Sequence, residues 1–444
     1  MTEEARKRMG FDKLPEAIMS NHLSPQFAID HWSFIPRRPI VGYGCMEHGF
    51  AKLAAAVALA TFVVPNLTFA QHYTQTNLIS DIPGIAAHTD PNLKNAWGLT
   101  RSPTAQPNGA VGSPWWIANN NSGTSTLDDG QGNPQNNFVQ ANGSISNFVV
   151  VPPPGFAAAG TPSTPTGIVY NGSPIDFLLN QGKPAGNPAV FIFATEDGTI
   201  SGWNPAVNLL PGGKPPSPNA VLEVDNSKKG SPDGAVYKGM TSGEIQGKRF
   251  LYVANFRSAR VEVYDTNFQR VNFDQAAFVD KTIPVGFAPF NVQNIGGSLF
   301  VTYAMQDAPR HDPVGGAGLG FVAIFSTTGK FEGRLEHGDW FNAPWGVVWT
   351  PRDFGEFSNT ILVGNFRSGW IAAFNGFTKK FIGFVLNPDN SPVFIDGIWS
   401  LTFGNNGNAG SSTTLWFTAG PNNEADGLFG TLTPVLTEQD GDEE

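Results

Sequence analysis

Short runs in which apolar and polar residues alternate follow one another along the chain after residue 70, and tight polar turns separate them. The stretch "VANFRSARVEVYD" (253–265) contains two such runs around one turn, which is typical of a β-hairpin. "VGNFRSGWIAAFN" (363–375) repeats the same pattern. No segment beyond residue 70 shows the 3.6-residue period of a long helix. The pattern therefore predicts an all-β chain.

Two phrases recur along the chain, each in six copies. Weaker copies of the hairpin begin at Ile117, Phe193, Thr302 and Phe417. A second phrase precedes each hairpin, as "NAWGL" (95–99), "PTGIV" (165–169), "VYKGM" (236–240), "APFNV" (288–292), "APWGVV" (343–348) and "DGIWSL" (396–401). A unit of several strands that recurs about every 50 to 75 residues is typical of a β-propeller.

We therefore predict a six-bladed β-propeller in which the second phrase starts the innermost strand of each blade. Its glycine permits close approach of strands near the axis, and its aromatic residue fills the wedge between blades. The segment "TQTNLISDI" (74–82) is predicted to be a strand that joins the last blade and closes the ring. Two Pro/Gly-rich inserts, 130–164 and 206–234, are predicted to be loops on one face.

The N-terminal region carries the pattern of an export signal. Residues 46–70 combine a basic flank, an apolar stretch too short to span a bilayer and a small-x-small cleavage site, so we predict a signal peptide there. Residues 1–45 are then a mis-assigned extension upstream of Met46, or alternatively a long genuine leader. Cleavage would remove Cys45, the only cysteine.

The processed chain is expected to be a secreted or periplasmic monomer without a membrane anchor. Its propeller domain is predicted at 71–436, followed by an acidic disordered tail at 437–444. The net charge of −10, with no local basic cluster, disfavours nucleic acid as a partner. The motifs of serine hydrolases, zinc proteases and P-loop enzymes are missing from the sequence.

Asp and Asn residues lie just before the predicted innermost strands, where the blades converge on one mouth of the channel. They are Asp90, Asn95, Asp233, Asn291, Asn342 and Asp396. Converging carboxylate and amide oxygens suit Ca²⁺. We predict Asp233, Asn291 and Asp396 as its ligands, and the other three as ligand-binding residues. The alternative is that these side chains only cap turns.

The next layer of the predicted channel holds large side chains. Its members are Trp97, Lys238, Phe290, Trp345 and Trp399. Rings that face the channel would stack on a sugar or another flat ligand, whereas rings between blades would be core. A lysine at this depth needs a partner, and we expect Lys238 to pair with Asp233 or Asp396, or to bind an anionic substrate.

Two histidines, His88 in "AHTDPN" and His311 in "RHDPVG", each neighbour an aspartate in a predicted loop. An imidazole oriented by a carboxylate is suited to act as a general base, so both are candidate catalytic residues. Loop histidines beside an aspartate also occur without any catalytic role.

The chain resembles a family of uncharacterised exported bacterial β-propellers, first catalogued among PEP-CTERM-associated proteins, that includes a giant-virus member. The resemblance rests on "NLISDIPGIAAHTDPNLKNAWGL" (77–99), "FIFATEDGTISGWNP" (191–205), "APFNVQNIGGSLFVTYAMQD" (288–307), "NAPWGVVWTP" (342–351) and "LVGNFRSG" (362–369). It implies export and a propeller but no particular activity, and the ending "TEQDGDEE" lacks the apolar anchor of the sorted members.

More distantly the chain is similar to NHL-repeat and gluconolactonase-like six-bladed propellers, some of which bind a divalent ion in the channel. Two functions follow. The first is a module that binds a small molecule, glycan or partner protein at the channel mouth. The alternative is a Ca²⁺-dependent hydrolase or lyase of the lactonase or esterase type, with His88 or His311 as its base.

Overall fold

The structure, a computed structural model, describes residues 72–103, 111–179, 186–228 and 234–435. They belong to one compact unit of the chain, Asn66–Glu444. The predicted extension (1–45), signal peptide (46–70) and acidic tail (437–444) lie outside the described residues. Within those ranges, no helical segment has the length and apolar character needed to cross a membrane.

The described residues form β-strands and a single turn of 3₁₀ helix, Gly355–Phe357. The strands in chain order are β1 (Tyr73–Ser80), β2 (His88–Thr89), β3 (Ala96–Thr100), β4 (Trp115–Asn119), β5 (Thr124–Asp128), β6 (Phe138–Val139), β7 (Ile145–Ser146), β8 (Phe148–Val150), β9 (Pro165–Tyr170), β10 (Leu178–Leu179), β11 (Asn187–Pro188), β12 (Phe191–Thr195), β13 (Thr199–Trp203), β14 (Val221–Asp225), β15 (Tyr237–Ile245), β16 (Lys248–Asn255), β17 (Arg260–Tyr264), β18 (Arg270–Val271), β19 (Phe287–Ile295), β20 (Ser298–Gln306), β21 (Pro313–Val314), β22 (Gly320–Ser326), β23 (Phe331–Arg334), β24 (Pro344–Trp349), β25 (Thr360–Asn365), β26 (Ile371–Asn375), β27 (Phe381–Phe384), β28 (Ile398–Phe403), β29 (Leu415–Ala419) and β30 (Leu428–Pro434).

Six sheets, or blades, follow one another along the chain, and their strands pair antiparallel except for β1 and β2, which pair parallel. From the innermost strand outward they are β3-β4-β5-β8 (blade 1), β9-β12-β13-β14 (blade 2), β15-β16-β17-β18 (blade 3), β19-β20-β22-β23 (blade 4), β24-β25-β26-β27 (blade 5) and β28-β29-β30-β1-β2 (blade 6). In blade 6, β1 pairs antiparallel with β30, so the first strand lies outside the last one.

The innermost strands form a closed ring. Each contacts the next in the order β3, β9, β15, β19, β24 and β28, and β28 contacts β3. The prediction of an all-β, six-bladed β-propeller is therefore confirmed. The second phrase of the repeat starts the innermost strands, and the hairpins are the second and third strands of the blades.

Glycines near the axis allow the innermost strands to approach closely. A Cβ added at Gly98 would lie 2.3 Å from the Thr166 carbonyl oxygen, and one at Gly346 would lie 2.4 Å from that of Trp399. Further out, aromatic side chains fill the wedges between blades. Trp116 of blade 1, for example, stacks on Phe191 of blade 2 with ring centroids 4.1 Å apart.

The two predicted loop inserts contain regular structure as well. The insert 130–164 includes the hairpin β6–β7 and the outer strand β8, and the insert 206–234 includes the outer strand β14. The prediction that they are only loops was wrong. The turn-rich composition of the inserts conceals these short strands, of which β8 and β14 pair with the third strands of blades 1 and 2, whereas β6 and β7 pair with each other.

Candidate functional site

All six innermost strands begin at one mouth of the central channel, which we call the upper mouth. The turn between the second and third strands of each blade lies at the same mouth, because the second strand runs antiparallel to the first. Backbone hydrogen bonds connect the two segments. The N–H of Asn120 donates to the Asn95 carbonyl at 3.0 Å, and the N–H of Glu196 donates to that of Thr164 at 2.9 Å.

An aromatic layer lies where these strands begin. It consists of Trp97, Phe256, Phe290, Trp345, Phe366 and Trp399. Trp399 stacks on Trp97 at 3.6 Å and on Phe366 at 3.9 Å between ring centroids. Each ring of the layer is at most 4% exposed.

The predicted ligand-binding rings Trp97, Phe290, Trp345 and Trp399 are thus brought together, and they pack against one another as core. The indole of Trp399 also donates to Asn95 Oδ1 at 3.0 Å, and that of Trp345 donates to the Lys238 carbonyl at 2.9 Å. We therefore assign these rings to the floor of the upper mouth and not to ligand stacking.

Lys238 is the charged residue in this layer, and its side chain is 1% exposed. Its Nζ pairs with Glu196 of blade 2 and, at 3.1 Å, with Asp312 Oδ1 of blade 4. Nζ also lies 5.2 Å from the ring centroid of Trp97, within the range of a cation–π interaction. Burial disfavours the charged amine, but Glu196 and Asp312 outweigh it, so the pKa of Lys238 is raised.

Of the two expected partners of Lys238, Asp396 was a wrong choice, and the pairing with Asp233 stays a prediction. Asp233 lies outside the described residues, and Asp396 instead accepts the backbone N–H of Asn422 at 2.9 Å in an exposed turn. The partners that the structure describes, Glu196 and Asp312, come from turns of two other blades.

His311 lies at the upper mouth beside these groups. Its Nδ1 is 3.0 Å from Asp312 Oδ1, and this hydrogen bond, together with the charge of Lys238, lowers the pKa of Asp312. Glu196 is oriented by Asn120, whose amide donates to Oε2 at 2.7 Å. One ligand atom each of Glu196, His311 and Asp312 lies within 4.8 Å of the others.

Glu424, from the turn of blade 6, adds a third carboxyl group with different electrostatics. Asn95 donates to its Oε2 at 3.1 Å. Burial raises the pKa of Glu424, and the nearby charge of Glu196 raises it further. The upper mouth thus combines a carboxyl group of raised pKa with Asp312, whose pKa is lowered, and such contrasts distinguish proton donors from proton acceptors.

His88 and Asp90 lie at the outer edge of blade 6 and not at the upper mouth, although both are close to β3 in sequence. His88 belongs to β2, four strand positions outward from β28 and therefore about 19 Å away at the usual strand spacing. Asp90 is placed at the same periphery, where its N–H donates to Ser80 of β1 and its Oδ2 accepts from Asn147 at 2.9 Å. His88 and His311 therefore do not share a site.

The remaining predicted oxygen ligands have internal partners. Asn342 Oδ1 accepts the Gly316 N–H at 2.8 Å. The amide of Asn291 is buried, donates to the Trp345 carbonyl at 3.0 Å and accepts the N–H of Val292 at 2.8 Å. No hydrogen bond among the described residues joins Asn291 to Asp396.

The predicted calcium site includes Asp233, which lies outside the described residues, so that site stays a prediction, and the cluster at the upper mouth does not supply its ligands by itself. Ca²⁺ takes six to eight oxygen ligands, whereas the cluster of Glu196, His311 and Asp312 supplies two carboxylates and one imidazole. The ammonium group of Lys238 already pairs with both carboxylates.

Sequence reasoning missed Glu196, Asp312 and Glu424. The signal was present, because all three lie in the turns of hairpins that the repeat identifies. In an antiparallel blade those turns return to the mouth at which the innermost strand starts.

Below the aromatic layer the channel contains a cavity of about 270 Å³, which we call the lower channel. Its lining includes Gly98, Gly167, Asn291, Gln293, Gly346 and Thr402. The described lining contains no carboxylate, and its cation, Arg101, donates to the Phe403 carbonyl at 2.9 Å.

Proteins of related sequence match this chain over most of its length. "Uncharacterized protein R648" of Acanthamoeba polyphaga mimivirus is 30% identical over 365 residues, which cover 80% of this chain and 78% of that protein. The chain belongs to the family of this viral protein. A second mimivirus member of the family, "Uncharacterized protein L690", is 29% identical over 80% of this chain and 84% of its own length. No protein-family model matches the chain.

Solved structures show more remote likenesses. A structure assigned as a gluconolactonase is 15% identical over 62% of this chain and 80% of its own, with a TM-score of 0.37. A streptogramin B lyase is 12% identical over 82% of this chain and 97% of its own, with a TM-score of 0.38. Likenesses at this level carry no information about the activity of this family.

Proposed function

We propose that the protein is an exported β-propeller that binds a small polar ligand at the upper mouth. One observation carries the proposal: Glu196, Lys238, His311, Asp312 and Glu424 come from four different blades and converge above one buried aromatic layer. A stable fold does not require such a cluster, because replacing buried ion pairs by apolar side chains is often neutral or stabilising. The pattern of residues 46–70 supports export.

The chemistry of the cluster favours a ligand rich in hydroxyl or amino groups. Carboxylates accept hydrogen bonds, whereas the ammonium of Lys238 and the amides of Asn120 and Asn121 donate them. A sugar presents donors and acceptors at close spacing and matches this mixture. The aromatic layer is buried, so recognition rests on polar contacts.

A thermal-unfolding screen tests the proposal directly. The purified chain is mixed with neutral sugars, amino sugars and uronic acids, each as free mono- and oligosaccharides. We expect at least one class to raise the melting temperature, because a ligand at a hundred times its Kd stabilises the native state by about 2.7 kcal/mol. The Asp312→Asn variant should lose this response, whereas the exposed control Asp353→Asn should keep it. An equal response in both variants would exclude the upper mouth.

The His311–Asp312 pair supports a second candidate function. The protein would then be an enzyme that transfers protons while it cleaves an ester or lactone, or while it catalyses an elimination. An imidazole oriented by a carboxylate can accept a proton, and Glu424, with its raised pKa, can donate one. Turnover of lactone and ester substrates that is lost in His311→Ala would support it. Activity that persists in that variant would assign the reaction to other residues.

A further inference from the structure

The outer edge of blade 3 is left partly open. Its third strand, β17, runs from Arg260 to Tyr264, but its fourth strand, β18, has two residues and pairs only with Val263 and Tyr264. Along residues 260–262 the outer side of β17 has no backbone partner within the described ranges.

Other blades close the same edge, and blade 5 is the best internal comparison because its hairpin shares the sequence "NFRS" with blade 3. There β27 pairs with Ala372, Ala373 and Phe374, and the Val385 N–H donates to the Ile371 carbonyl at 3.0 Å. An equivalent hydrogen bond closes the edge of blade 1, where the Val151 N–H donates to the Gly123 carbonyl at 3.0 Å. In blade 2 the Asn226 N–H donates to the Gly198 carbonyl at 2.9 Å.

The edge is open because the chain leaves it early and crosses to blade 4. Beyond Val271 it folds over the neighbouring sheet, where the Phe278 N–H donates to the Gly329 carbonyl at 2.8 Å. The Phe278 ring packs against Tyr252 and Phe325, each at 5.9 Å between centroids. A groove of about 610 Å³ remains between β17 and this crossing segment.

The two walls of the groove differ in character, since successive side chains of a strand point to opposite faces. Val261 and Val263 belong to the apolar cluster that also contains Phe273 and Phe278. Val279, which lines the groove, is 43% exposed.

The other face of β17 carries charge. Glu262 is buried and satisfied by Arg270 at 3.2 Å and by the hydroxyl groups of Tyr237 and Tyr264. Arg260 is exposed and makes no ion pair within the described residues. A ligand in the groove would therefore meet unpaired backbone groups, an apolar wall and a free guanidinium group.

We propose that the open edge of blade 3 binds an extended peptide segment of a partner protein as an added outer β-strand. The peptide backbone would pair with residues 260–262, and alternate apolar side chains would contact Val261 and the Phe273 wall. On the opposite face of the peptide, a carboxylate would pair with Arg260. This interaction is independent of ligand binding at the upper mouth.

Peptide selection tests the proposal. Random heptapeptides are selected against the full chain, and the tightest binder is synthesised with both ends capped. We expect alternating apolar residues and an acidic residue, and slower amide exchange within residues 260–262 when the peptide is bound. Methylation of alternate peptide nitrogens should weaken binding at least tenfold, because a strand pairs through its backbone N–H groups.

Two exposed valines give a matched pair of variants. Val279→Asp puts a charge on the groove wall and should weaken binding at least tenfold, whereas Val285→Asp, at a fully exposed position that does not line the groove, should leave it unchanged. Failure to select such a peptide, or equal binding by its methylated form, overturns the proposal. Dimerisation that protects residues 260–262 without peptide would also overturn it, because a second copy would then be the occupant.

Discussion

The upper mouth and the lower channel are built by the same six strands, yet they are chemically different. At the upper mouth, the second residues of these strands include Trp97, Lys238, Trp345 and Trp399, which fill the axis. One residue further along, Gly98, Gly167, Gly239 and Gly346 bring the backbones together, and the lining below contains no carboxylate among the described residues.

This difference shows which part of the fold can accommodate buried charged groups, whose desolvation is unfavourable. Large buried rings at the upper mouth contribute free energy that offsets the desolvation of Lys238 and its carboxylates. Of the rings in the aromatic layer only Trp345 borders the lower channel, and the described lining there contains no carboxylate that could form an ion pair. We therefore expect substitutions in the upper mouth to have the larger effects.

Trp399→Ala is expected to have the largest effect. Trp399 is fully buried and stacks on two rings, and truncating a buried aromatic side chain typically costs about 3–5 kcal/mol. Urea unfolding at pH 7 measures the loss. Thr402→Ala, on the same strand but in the lower channel, should cost much less. Equal losses of unfolding free energy in the two variants would contradict the expected difference between the upper mouth and the lower channel.

Lys238→Met is expected to have an intermediate effect. It leaves Glu196 and Asp312 without their cation, and because Asp312 is 55% exposed and can rehydrate, we expect a loss of about 2 kcal/mol, less than the 3–5 typical of a fully buried pair. Gln293→Met, an exposed position of the lower channel, is the control and should change stability by less than about 0.5 kcal/mol. An unchanged unfolding free energy for Lys238→Met would show that the ion pairs contribute nothing net.

The sequence alone could predict the ring and its innermost layer, because both follow from repeated phrases. Trp97, Trp345 and Trp399 occupy equivalent positions of the repeat, so their meeting near the axis follows from the ring itself. The position of His88 could not be predicted, because β2 pairs with β1 and so lies at the edge of the last blade and not beside β3. The ion-pair partners of Lys238, Glu196 and Asp312, come from other blades, and their positions depend on loop lengths that the repeat does not specify.

Glu424→Gln tests the smallest difference, the pH dependence of the upper mouth. Burial raises the pKa of Glu424, so the native state binds its proton more tightly than the unfolded chain does. This contribution to stability is fully present below the ordinary glutamate pKa of about 4.3 and is lost as pH rises through the raised value. Glutamine resembles the protonated acid and cannot ionise. The unfolding free energy of the variant minus that of wild type should therefore be larger at pH 7 than at pH 4.

Urea unfolding at the two pH values measures that change. Thr402→Ala serves as the control, because it removes no titratable group and its effect should be the same at both. If the stability difference between Glu424→Gln and wild type were also the same at both pH values, the carboxyl group of Glu424 would be ionising as it does in the unfolded chain. The assignment of Glu424 as the proton donor of the second candidate function would then be wrong.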